Sequence, residues 1–176
     1  TAFSVDYDEL YSLLRHEREH GNIVWVLGPA VVFDFDARNA FVNLVRHGFV
    51  HAVLAGNALA VHDLEASRFG SALGQNIYSR QGQSLGHYNH LDVINTVRGL
   101  GSIEEAIARG EVRDGIMLAL HQASIPYVLA GSIRDDGPLP ETIASAYQAQ
   151  DRMRAVTSQA TTVIALATQL HSIATG

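Results

Sequence analysis

The chain contains no cysteine. That excludes a disulfide framework, a thiol nucleophile and a thiolate metal site. It fits a reducing compartment, so a cytoplasmic location is expected. Basic residues are outnumbered, with 12 Lys and Arg against 18 Asp and Glu and a net charge of -6. A surface of that sign repels phosphate backbones and anionic membranes, so neither nucleic acid nor a membrane is an expected partner. No run of about 18 apolar residues is present to span a bilayer. The opening stretch TAFSVDYDELYSLL is acidic and periodic, unlike a secretory signal. There is no internal repeat, no low-complexity segment and no linker that would divide two domains. What is present is a chain of 176 residues, 47% hydrophobic and 17% charged, which suits one α/β domain over residues 1–176.

Apolar runs bounded by glycine and proline predict strands at Ile23–Leu27, His51–Leu54, Pro126–Leu129 and Thr162–Leu166. Helical spacing fills the intervals. Asp6 is placed to cap a helix that turns Leu10, Leu13 and Leu14 to one face and stops near Gly21. Further helices are expected at 37–47, 58–69, 88–98, 102–109, 112–123 and 140–156, with a last one from Thr168 to Ala174. Residues 70–86, rich in glycine and serine, read as a long loop. Strands alternating with helices argue for βαβ units and a parallel sheet flanked by helices.

In open parallel sheets ligands bind beyond the carboxyl ends of the strands. Here those ends run into small or polar residues: Gly28-Pro29-Ala30, Gly56-Asn57-Ala58, Gly131-Ser132-Ile133 and Ala167-Thr168. Small residues admit a ligand close to the backbone, and the helices that follow aim free N–H groups at it. Arg134 could grip a carboxylate or phosphate, and Asp135 or Asp136 an amine. The alternative is an ordinary polar turn. His62, beside Asp63, and His87, His90 and His171 fall near the same edge, where an imidazole could transfer protons. Trp25, in the first strand, is expected near the pocket and would report ligand by its fluorescence.

Two motif matches fail on context. His16-Glu17-Arg18-Glu19-His20 fits H-E-x-x-H, but it occupies a charged helix end with no third ligand in view, so no metal is expected. Gly99-Leu100-Gly101 follows a helix and lacks a third glycine, so it reads as a turn between helices.

The stretches GPAVV at 28–32, AGNALAVHDLE at 55–65, GHYNH at 86–90, LAGSIRDDGPLP at 129–140 and LATQLHSIATG at 166–176 together resemble one family. It is the LOR/SDH-type conserved domain of archaeal ornithine cyclodeaminases and of the carboxyl-terminal half of cyanobacterial arginine-catabolic bifunctional enzymes. The resemblance implies a Rossmann-like, deoxyhypusine-synthase-like parallel sheet that binds NAD. It implies conversion of L-ornithine to L-proline and ammonia, with a hydride lent to NAD and returned within each turnover. On that reading Gly28, Pro29, Ala30, Gly56, Asn57, Ala58, Gly131, Ser132, Ile133, Arg134 and Thr168 would line the cofactor. Asp63, Asp135 or Asp136 would hold the substrate amine, and His62, His87 or His171 would transfer protons. Family members usually continue past the position of Gly176, so the chain is expected to be a fragment, a shortened form or a divergent relative; a homo-oligomer is expected as well. Two other readings stand beside this one: a nucleotide-binding regulatory module without catalysis, and a dehydrogenase of the lysine or saccharopine type.

Overall fold

The computed structural model describes residues 7–168. His171, the Asp6 cap and all but the first residue of the expected last helix lie outside them. In chain order the elements are α1 (Tyr7–His20), β1 (Ile23–Leu27), a 3-10 turn (Pro29–Val32), α2 (Phe35–Arg46), β2 (Ala52–Gly56) and α3 (Asn57–Phe69). There follow a short hairpin of β3 (Ser71–Ala72) and β4 (Gln75–Asn76), a 3-10 turn (Gly86–Tyr88), then α4 (Asn89–Leu100), α5 (Ile103–Ala108) and α6 (Ile116–Gln122). The remainder is β5 (Tyr127–Ala130), β6 (Thr142–Ile143), α7 (Ala146–Thr157) and β7 (Thr162–Leu166).

Five strands form one parallel sheet in the order β6-β5-β2-β1-β7. The chain lays down β1, β2, β5 and β6 in one direction and then returns to place β7 on the other side of β1. The strand order therefore reverses between β1 and β7. β1 and β2 are buried at every residue, as unbroken apolar runs require of central parallel strands. Successive side chains alternate between two faces. Ile23, Trp25, Leu27, Val53, Ala55 and Leu129 join the large core that includes residues of α2 to α6. Val24, Val26, Ala52, Leu54 and Val128 pack on the other face against Met153 of α7. β7, at the sheet edge, is only half covered, with Val163 46% exposed.

Four expectations need correction. α1 buries none of its residues: Leu13 is 45% exposed, and Leu14 alone of the three leucines packs against the core. The helix expected from residue 140 begins at Ala146, where the Ser145 side chain accepts the Gln148 N–H. Ahead of it, Thr142–Ile143 pairs with β5 as a fifth strand, and the Gly131 N–H donates to the Ile143 carbonyl at 2.9 Å. The loop at 70–86 contains the β3–β4 hairpin. Trp25 is buried, and its indole N–H donates to the Phe49 carbonyl at 2.8 Å, just ahead of β2 and so at the amino end of the sheet. It faces away from the strand exits and reports on the core instead.

Candidate functional site

The sheet's carboxyl edge is built by the segments that leave β1, β2, β5 and β7. After β1, Gly28 is buried, Pro29 half-buried and Ala30 exposed. Gly28 is required by the protein itself: a Cβ there would lie 1.8 Å from the Ala167 carbonyl oxygen. The exits of β1 and β7 thus touch where the strand order reverses. After β2 the chain enters α3 at once. Gly56 caps it without a side chain, which leaves the first N–H groups of a 13-residue helix unclaimed by a cap. Ala58 is half-buried beside them.

Asn57 is 2% exposed and turned inward. Its Oδ1 accepts the Leu139 N–H at 2.9 Å and the Thr142 hydroxyl at 2.8 Å, and its amide donates to the Gly137 carbonyl at 3.2 Å. It moors the loop that follows β5, so its side chain faces the protein rather than a cofactor, contrary to the expectation. In that loop Asp135 closes a local turn. It accepts from the Ser132 N–H at 2.7 Å and from the Ser132 hydroxyl at 3.2 Å. Its expected hold on an amine gives way to the ordinary turn role. At the tip stand Ile133, fully exposed, and Arg134, exposed and without an ion pair among the described residues. Thr168, past β7, is half-buried.

Asp63 has a structural task as well. It is fully buried, and its Oδ1 receives Nε of buried Arg38 at 2.7 Å. The N–H groups of Ile116 and Met117, at the start of α6, donate to the same carboxylate at 3.0 and 2.7 Å. Arg38 also reaches Asp114 at 2.8 Å. Burial acts to lower the Arg38 pKa, but attraction to Asp63 and Asp114 carries it above the ordinary value. A Cβ at Gly115 would stand 2.0 Å from this guanidinium, and the residue adopts φ +103, so only glycine fits there. With both oxygens committed, Asp63 is not available to a substrate amine as expected.

The neighbouring residues of α3 make a different arrangement. His62, 7% exposed, places Nδ1 2.9 Å from Oε2 of Glu65, one turn further along. Glu65 is fully buried and accepts three more bonds: from the Ser71 hydroxyl at 2.8 Å and from the N–H groups of Leu73 and Gly74 at 3.3 Å. Facing His62 at 6.1 Å between ring centroids is His90, in the first turn of α4. His90 Nε2 lies 2.9 Å from Oδ2 of Asp136. Its Nδ1 is buried with no hydrogen-bond partner among the described residues. Buried polar atoms are rarely left unpaired, so this nitrogen marks a place for a ligand or water. Phe33 closes the side, its ring edge-on to His62 at 5.4 Å. Two carboxylate–histidine pairs thus meet where the segments after β1, β2 and β5 converge. The carboxylate fixes each imidazole, leaving the other ring nitrogen for a proton.

Of the expected proton carriers, His62 and His90 belong to this cluster, and Asp136, expected to hold an amine, pairs with His90. His87 does not belong to it: it is exposed and lies against Tyr88 at 4.1 Å. Glu65 was missed by sequence reasoning, although a carboxylate three residues after His62 on one helix face was a readable signal. Beside the cluster, the turn after β1 and the β3–β4 hairpin line an open cleft of about 330 Å³. At its wall Asp34 accepts the Ala37 N–H and pairs with Arg80. Those two contacts, the backbone bond foremost, hold the Asp34 carboxyl below the usual carboxylate range. His16 and His20 are exposed on α1 and stacked on each other at 4.7 Å, and the Glu17 between them is bonded to Thr161.

Comparison with known proteins agrees with this fold. The model of the family described as arginine dihydrolase ArgZ-like, C-terminal, Rossmann fold matches residues 9–176. The ornithine cyclodeaminase of Methanopyrus kandleri is 46% identical over 163 residues, which are 93% of this chain and 39% of that protein. The chain therefore spans about two fifths of the length of that relative. Among solved structures, a LOR/SDH protein of Methanococcus maripaludis superposes with a TM-score of 0.88 at 40% identity, over 96% of this chain and 50% of its own. AgrE, crystallised as a ternary complex with ornithine and NAD+, gives 0.87 at 38% identity over 96% of this chain and 25% of its own.

Proposed function

The chain belongs to the ArgZ-like C-terminal Rossmann-fold family, and from that premise we propose that it serves an NAD-dependent ornithine cyclodeaminase, converting L-ornithine to L-proline and ammonia. The observation that carries the reading is the pair of facing carboxylate–histidine dyads at the sheet's carboxyl edge. A relative of the same fold holds ornithine and NAD+ together.

The residues at the edge fit a dinucleotide. Ile133 offers an exposed apolar face and Arg134 an exposed guanidinium, a combination suited to a base and a phosphate. The uncapped start of α3 favours negative charge nearby. Gly28, Pro29 and Ala30, with Gly56, Ala58, Gly131, Ser132 and Thr168, would line the remainder. NAD, when bound, supplies a temporary acceptor for the hydride of the substrate's α-carbon. The protein holds and moves protons. His62, its Nδ1 engaged by Glu65, keeps Nε2 for a substrate amine; His90, anchored on Asp136, keeps Nδ1. Ring closure and loss of ammonia need one group that accepts a proton and one that returns it, and the two imidazoles provide both. His171 is retained as a third candidate.

The test is product analysis of the intact protein given NAD+ and L-ornithine. Proline and ammonia should appear in equal amounts with no accumulation of NADH. Steady NADH formation would point to a dehydrogenase instead, and tight binding without product to a regulatory module. The variant His62→Ala should lower kcat by about 100-fold or more, the contribution typical of a positioned acid or base.

A further inference from the structure

The carboxylate that anchors His62 is itself the end of a longer row of hydrogen bonds. Besides Nδ1 of His62, buried Glu65 meets the Ser71 hydroxyl and the N–H groups of Leu73 and Gly74. Ser71 is fully buried at the start of β3, and its Oγ also receives the side-chain amide of Asn89 at 2.8 Å. The same amide donates to Oε1 of Gln83 at 3.2 Å. Asn89 opens α4 and is half-buried, directly ahead of His90. The Ser71–Asn89 bond therefore closes the segment 70–88 at its base, next to both histidines.

Chemistry fixes the direction of each link. An amide nitrogen only donates, a hydroxyl carries a single hydrogen, and an ionised carboxylate only accepts. With Asn89 donating to Ser71, the Ser71 hydrogen points at Oε1 of Glu65, 2.8 Å away. The Gly74 N–H comes to the same oxygen and the Leu73 N–H to Oε2. None of these three donors, so turned, can take a proton from Glu65, and it meets His62 as an acceptor. The bond made by one imidazole nitrogen sets the state of the other, so His62 carries its hydrogen on Nδ1 and leaves Nε2 bare. The other groups facing His62 are His90 of α4, held by Asp136, and the uncharged ring of Phe33.

We propose that Ser71 and Asn89 are positioning residues for the reaction: acting through Glu65, they hold the His62 hydrogen on Nδ1, so that Nε2 is the nitrogen that accepts a proton. The use of that proton rests on the cyclodeaminase reading, but the tautomer is tested apart from it. Asn89→Asp separates positioning from folding. The new side chain has the same shape, and an acid in the first turn of a helix is favoured. It cannot donate, however, and it draws the Ser71 hydrogen to itself and away from Glu65.

In the intact protein with NAD+, Asn89→Asp and Ser71→Ala should each lower kcat for L-ornithine about 10- to 100-fold, the loss expected for a bond to a charged group, with KM changed less than about 3-fold. Ser71→Thr, which keeps the hydroxyl, should recover most of kcat. Nitrogen NMR of the labelled imidazoles at about pH 9, where histidine is ordinarily neutral, gives the readout that a merely structural role would not move. The His62 signals, identified by their absence from His62→Ala, should place the hydrogen on Nδ1 in wild type and share it with Nε2 in Asn89→Asp and Ser71→Ala. A wild-type hydrogen on Nε2 overturns the proposal. So does a folded Asn89→Asp with the wild-type spectrum, whatever its kcat. If neither variant folds, the wild-type spectrum decides: a hydrogen on Nδ1 sustains the proposal and one on Nε2 rejects it. If wild type makes no proline, the cyclodeaminase reading falls, and the spectra of wild type and variants still decide the positioning by the same criteria.

Discussion

A carboxylate at a strand exit looks the same in a sequence whether it awaits a substrate or anchors a helix. Asp63 and Asp136 were equal candidates, and the structure separates them. Asp63 lies at zero exposure between Arg38 and the start of α6. Asp136 is 64% exposed and holds His90. Their substitutions should differ accordingly. Asp63→Ala strands a buried guanidinium and should cost about 3–5 kcal/mol of stability, read from denaturant midpoints. Asp136→Ala breaks an exposed pair, should cost about 1 kcal/mol or less, and should instead depress turnover. Equal losses of stability in the two variants would contradict the division. The candidate site was thus half legible. His62 and Asp136 could be placed at the edge from strand and helix boundaries alone. The inward turn of Asn57 and Asp63 could not, because their partners lie 25 to 85 residues away in the chain.

Among the elements, long periodic helices and unbroken apolar strands read directly. α2, α3, β1 and β7 stand within two residues of their expected bounds. Short elements escaped. β3, β4 and β6 are two residues each, too brief for any alternation to register. Their position comes from tertiary bonds: Glu65 gathers Ser71, Leu73 and Gly74, and Gly131 fixes Ile143. The hairpin also depends on a backbone crossing. A Cβ at Gly86 would come within 2.6 Å of the Gly74 carbonyl oxygen. Gly86→Ala should therefore displace the segment 70–88 at a cost of about 1–3 kcal/mol. Limited proteolysis should find new cuts in that segment, while amides of β1 and β2 keep their protection from exchange. A cleavage pattern identical to wild type would show that the crossing is looser than drawn. Since N–H groups of the hairpin hold Glu65, the same variant should also loosen the His62–Glu65 pair.

For the molecule as a whole, the α/β class followed from alternation, whereas the strand order did not. Parallel pairing joins segments far apart in sequence and leaves no local mark. The order is what gives the edge its meaning, since it places the reversal between β1 and β7, where ligands of open parallel sheets collect. A ligand bound across that edge by the folded state alone should stabilise the entire fold. NAD+ at about 100 times its dissociation constant should add roughly 2.7 kcal/mol, a rise of about 5–10 °C in Tm for a chain of this size. An unchanged melting curve at millimolar NAD+ would count against the cofactor. Arg134→Ala should shrink the rise without moving the midpoint of the ligand-free protein, because that side chain has no ion pair among the described residues to lose.

Gly28 carries a separate lesson about such edges. A glycine at the mouth of a nucleotide fold invites the thought that a phosphate presses on it. Here the pressing atom is the oxygen of Ala167, and the room given up is used by the polypeptide. In a saturation library this position would tolerate almost nothing, with or without cofactor in the cell, and its intolerance would testify to carpentry where a genetic screen would hear chemistry.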